Sequence, residues 1–173
     1  MPEWTDVKNK ELTARQVALA KLLQNYFGDT KIKFSTSTEP DSLWGKSTGY
    51  TAGDQYAGQY NPDSDSIAVY TNPWWDDTRV KGGESGVMYH EMAHRAQLSE
   101  IDYYEKHPVG RLKNLLARLS GKGDLRARLA PNMDYEPFAE GMVNYITDPR
   151  DSTISSYAKS IYDKLLRGDY KRK

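Results

Sequence analysis

His90 and His94 stand four residues apart in the run His90-Glu91-Met92-Ala93-His94. On a helix four residues are a little over one turn, so both imidazoles leave from the same face. Two nitrogen donors at that spacing can grip one tetrahedral zinc ion and leave two of its positions open. Glu91 lies about a quarter-turn round from His90, so its carboxylate stands beside those open positions, where it can take a proton from water. The pattern is H-E-x-x-H, and the chemistry it suits is metal-assisted hydrolysis with the glutamate as general base.

Two histidines make only half a site, and the chain offers three ways to finish it. His107 is the only other histidine, in a polar stretch beside Pro108. Glu100 follows His90 by ten residues, but Gln97 occupies the place where that arrangement needs a glycine to turn the chain. The third is Tyr135-Glu136-Pro137-Phe138-Ala139-Glu140. Glu136 and Glu140 share one helix face, so one carboxylate can bind the metal and the other can hydrogen-bond the far nitrogen of a ligand histidine. An oxyanion formed in hydrolysis needs a donor besides the metal. Tyr103, Tyr104, His107, Tyr135 and Tyr145 are the candidates, with Tyr135 nearest to a ligand in sequence.

H-E-x-x-H followed some forty residues later by Glu136-Pro137-Phe138-Ala139-Glu140 resembles the gluzincin group of zinc metallopeptidases. The second motif is similar to that of the lethal factor-like branch and of toxin- or phage-associated peptidase domains. The resemblance implies one zinc ion on His90, His94 and Glu136, with Glu91 as general base and Glu140 supporting a ligand. It also implies a zincin-like fold in which the strand Ser66–Thr71, through Ile67, Ala68, Val69 and Tyr70, is the edge that receives a peptide or protein substrate. Pro137 departs from the aromatic usual in the second motif.

The elements that must position these residues can be read from periodicity. Residues 9–27 have an apolar stripe at helical spacing, with Gly28 as a stop. Lys31–Ser35 alternates as a strand, with Ile32 and Phe34 facing inward. Residues 37–55 read as a long loop. Tyr56–Tyr60 and Ser66–Thr71 flank Asn61-Pro62-Asp63-Ser64-Asp65 as a hairpin. The metal helix spans about 84–100, and Asp102–Pro108 reads as a turn. Leu112, Leu115, Leu116 and Leu119 form one face of a helix over 109–120. A short helix over 124–129, a helix over 135–147 capped by Asn132 or Asp134, and a last helix over 152–167 complete the chain. The expected fold is α+β and zincin-like. A small antiparallel or mixed sheet and a helix occupy about 9–80, the active-site helix about 84–100 and a mainly helical part 109–167, all in one domain of 1–173.

The 173 residues suit a single domain with a modest core, to which 13 tyrosines add packing area. Acids and bases balance at 24 each, which argues against nucleic acid or a membrane surface as partner. No cysteine is present, and Met1–Asp6 has no signal-peptide pattern. The expected setting is therefore the cytoplasm or a larger phage or toxin polypeptide. Zinc-dependent peptide hydrolysis is the leading reading. Its rivals are a catalytically silent metal- or peptide-binding module of a larger polypeptide and a helical protein with a chance motif.

Overall fold

The computed structural model describes residues 5–6, 14–28, 31–35, 58–70 and 83–170. The fold is mixed α+β. Its elements in order are β1 (Thr5–Asp6), α1 (Ala14–Phe27), β2 (Lys31–Ser35), β3 (Gly58–Asn61), β4 (Ser66–Tyr70), α2 (Gly83–Lys106), α3 (Pro108–Leu119), α4 (Glu136–Thr147) and α5 (Ser156–Leu166). The chain packs as two compact units divided between Met92 and Ala93, inside α2. The expected loop at 37–55, the inward orientation of Ile32 and Phe34, and residues 9–13 of the first helix lie outside what is described.

The first unit holds a four-stranded mixed sheet in the order β1-β2-β4-β3. β1 and β2 are parallel and are joined through α1, the crossover a parallel pair requires. Gly28 ends α1 in the left-handed region (φ 74°), and its N–H reaches the Gln24 carbonyl at 2.9 Å. β3 and β4 form the expected antiparallel hairpin, with Gly58 opposite Val69 and Asn61 opposite Ser66. The turn is held locally: the Asn61 carboxamide oxygen accepts the N–H of Asp63 at 2.8 Å and that of Ser64 at 3.3 Å. Such Asx turns are what an Asn-Pro-Asp-Ser run favours.

One expectation about this sheet is overturned. Ser66–Thr71 was expected to be an edge, yet β4 is flanked on both sides, parallel to β2 and antiparallel to β3. Ile67, Ala68 and Val69 are all buried, the signature of a strand covered on both faces. Their main chain is committed within the sheet, so Ile67, Ala68, Val69 and Tyr70 are not a docking edge. Among the described residues the terminal strand on that side is β3.

The second unit is helical. α2 runs to Lys106, beyond the expected turn at 102, because no breaker precedes Pro108 and Lys106 pairs with Asp102 one turn back at 2.9 Å. Pro108 then opens α3 at a position where its missing N–H costs nothing. Residues 124–129 form turns rather than a helix. The Asp124 carboxylate takes the N–H of Arg126 at 2.9 Å and its guanidinium at 2.6 Å, closing a local loop that a helix cannot accommodate. α5 begins at Ser156 rather than 152. The Asp151 carboxylate folds Thr153 into a turn, and the Ser155 hydroxyl caps the helix by accepting the Ala158 N–H at 3.1 Å. Tyr162 locks α5 to α4: its ring lies 4.9 Å from that of Phe138, and its hydroxyl donates to the Phe138 carbonyl at 2.6 Å.

Candidate metal centre

The motif helix delivers its residues as the spacing requires. α2 is unbroken from Gly83, and Val87, Met88, Met92, Ala93 and Ala96 bury one face of it. That burial fixes the rotation of the helix, and with it the direction of the polar residues between them. His90 and His94 are half-buried, while Glu91 is 5% exposed.

Glu136 is the first residue of α4, preceded by Tyr135 at the cap. Asp134 supports that helix start: its carboxylate accepts the Glu136 N–H at 3.1 Å. Pro137 therefore sits in the first turn, where proline is well tolerated. The carboxylate of Glu136 stands 3.4 Å from Nε2 of His94. One ligand atom from each of His90, His94 and Glu136 can be chosen so that all three lie within 4.8 Å of one another. Ligands sharing a tetrahedral zinc at bond lengths near 2 Å are separated by about 3.3 Å. The His94–Glu136 distance matches that edge, and with His90 the three residues form a group that could hold a metal ion.

The tautomer of His94 is set by Gln97, three residues further along the same face. Gln97 is fully buried, and its side-chain N–H₂ donates to the Leu129 carbonyl. A carbonyl can only accept, so the amide oxygen of Gln97 must be the atom turned toward His94. Nδ1 of His94 lies 3.3 Å from that oxygen and therefore carries the proton. Nε2 is then the nitrogen that faces Glu136, 3.4 Å from its carboxylate, and the one that would bind a metal held there. Spacing alone did not single out Gln97 for this role. Its signal was a carboxamide three residues beyond His94, on the same helix face.

Several of the other candidates are engaged elsewhere. Glu100 is buried, and its carboxylate accepts from Lys164 at 2.9 Å and from the Tyr170 hydroxyl at 2.6 Å. Burial and the neighbouring Glu100 push that tyrosine's pKa well above its usual range. His107 is exposed and stacks on Tyr103 with ring centres 5.0 Å apart. Tyr145 donates to Asp163 at 2.6 Å, and Tyr157 donates to Tyr104 at 3.4 Å. Tyr135 is half-buried, and its hydroxyl makes no hydrogen bond among the described residues. Glu140 is exposed one turn after Glu136 and does not belong to the three-residue group.

In the first unit β3 passes close to Glu91. A Cβ placed on Gly58 would fall 2.4 Å from Cγ1 of Val87 and 3.0 Å from Oε1 of Glu91. Only glycine permits that approach. The terminal strand of the sheet and the motif carboxylate are thus neighbours. Comparison of the chain with known protein families, curated proteins and solved structures gives no match.

Proposed function

We propose that the chain is a zinc-dependent peptidase of the zincin type, hydrolysing peptide bonds with Glu91 as general base. The observation that carries this reading is the convergence of His90, His94 and Glu136 around one point, with Glu91 on the next helical position. Zinc held by those three residues would polarise the scissile carbonyl and ease deprotonation of water. Glu91 accepts the proton of the attacking water and returns it to the leaving amine. Tyr135, beside Glu136 and without another hydrogen-bond partner among the described residues, is the donor to the developing oxyanion. Gln97 keeps Nδ1 of His94 protonated and its ring oriented. The substrate strand is β3 rather than β4, since Gly58 brings that terminal strand against Glu91. An extended peptide added there pairs main chain to main chain.

The test begins with metal analysis of the purified chain, where one zinc per chain is expected. Glu91→Gln should keep the metal and lower cleavage of a peptide library by about 100-fold or more. Glu136→Ala should lose the metal, whereas Glu100→Ala should keep it. A chain without stoichiometric metal sinks the reading. A loaded wild type that leaves every peptide intact favours the silent binding module of a larger polypeptide.

A further inference from the structure

Six large hydrophobic side chains stand exposed among the described residues, and five of them are on α3: Val109, Leu112, Leu115, Leu116 and Leu119, each 48–76% exposed. At 100° per residue these five fall on one stripe, opposite the buried Gly110, Asn114 and Ala117. The helix is therefore amphipathic with its apolar face outward. Packing fixes that orientation. A Cβ on Gly110 would fall 2.0 Å from the Tyr103 carbonyl oxygen, so the backbones of α2 and α3 are in direct contact there. Asn114 is also held, its amide donating to Asp124 at 3.1 Å and its oxygen accepting the Leu125 N–H at 2.8 Å. Turning the leucines inward would break both contacts.

The charge around the stripe says what covers it. Arg111 and Arg118 lie along one flank and Lys113 along the other, all three exposed, and none is in an ion pair among the described residues. Lys113 rests over the Tyr103 ring at 5.6 Å. No acid occurs from Lys106 to Gly123. The nearest acids in sequence are engaged elsewhere, Asp102 with Lys106 and both Glu105 and Asp124 with Arg126. A second copy of α3 laid on the first would bring cations against cations. An exposed apolar stripe rimmed on both sides by cations matches an anionic bilayer, whose headgroups meet the rim while the acyl boundary takes the leucines.

We propose that α3 docks the chain on anionic membrane surfaces, lying in the plane of the interface. The balanced net charge argues against such a role only for the molecule as a whole; the local face is strongly basic. The proposal does not depend on the peptidase reading.

The test is co-sedimentation of the full chain with vesicles of phosphatidylcholine alone or with about a third phosphatidylserine, at physiological salt. Wild type should favour the anionic vesicles by more than about tenfold. Arg111→Gln, Lys113→Gln and Arg118→Gln together should reduce binding to the phosphatidylcholine level. Leu112→Gln, Leu115→Gln, Leu116→Gln and Leu119→Gln together should lower it more than about tenfold with the circular dichroism unchanged, since these positions are exposed. No binding to anionic vesicles, or binding indifferent to the leucines, overturns the proposal. So does a dimer in sedimentation velocity that the leucine substitutions dissolve, which would assign the face to a second copy.

Discussion

Gln97 serves two ends at once: its amide nitrogen holds the Leu129 carbonyl, and its oxygen holds the Nδ1 proton of His94. The two ends are separable. Gln97→Glu keeps an acceptor for His94 but loses the donor to Leu129, so it should retain zinc affinity within a few-fold while destabilising the fold by about 1–3 kcal/mol. Gln97→Leu loses both and should weaken zinc binding by about 10- to 100-fold as well. Competition against a chromophoric chelator and urea titration read the two effects apart. Equal zinc affinity in Gln97→Leu and wild type would mean that the contact orients nothing. Glu100 makes the opposite case: it is an acid near the motif whose partners, Lys164 and Tyr170, give it a structural task. Residue type and spacing left Glu100 and Glu136 both open as ligands. Contacts 64 and 70 residues away in sequence decide between them.

Between elements, two close approaches and one turn govern what each helix or strand presents. Gly58 lets β3 lie against Val87 and Glu91. Val87 is buried and stiff, so Gly58→Ala should displace either the strand or the Glu91 carboxylate. About 100-fold lower peptide cleavage with zinc content unchanged is the expected result. Cleavage at the wild-type level would remove β3 from the site. The turn after α3 rests on Asp124, which Arg126 holds well below the usual carboxylate range through its hydrogen bonds. A depressed folded pKa contributes stability that is fully present above the unfolded value, about 3.9, and is lost as pH falls through the folded one. The gap in unfolding free energy from urea titration between wild type and Asp124→Asn, about 1 kcal/mol near neutrality, should therefore shrink as pH falls below about 4. A gap that persists at the acid end would mean that the ion pair contributes nothing. Helix α3 shows how far periodicity reaches at this scale. Its leucine stripe is legible from spacing alone, but its outward direction is not. Gly110 against the Tyr103 backbone and Asn114 against Asp124 and Leu125 set which face is covered.

For the molecule as a whole, a ligand that binds the folded chain and not the unfolded one should register in global stability. Zinc at a thousandfold its Kd should stabilise the chain by about 4 kcal/mol, a rise in Tm on the order of 10 °C. The shift should survive Glu91→Gln, disappear in Glu136→Ala and reverse with chelator. A Tm indifferent to zinc in wild type would contradict the ligand set. Among the described residues no helix is long and apolar enough to cross a membrane, so the lipid contact inferred for α3 is one of surface. The sequence by itself determined the motif helix, the hairpin and its turn, and the placing of Glu136 at a helix start. Each of these depends on periodicity, capping and turn chemistry within a few residues. Only the tertiary structure decided that β4 is interior and, among the described residues, β3 terminal, that Gln97 contacts His94, that Glu100 belongs to Lys164 and Tyr170, and that the leucines of α3 face outward. These depend on which distant groups meet, and local sequence carries no record of that.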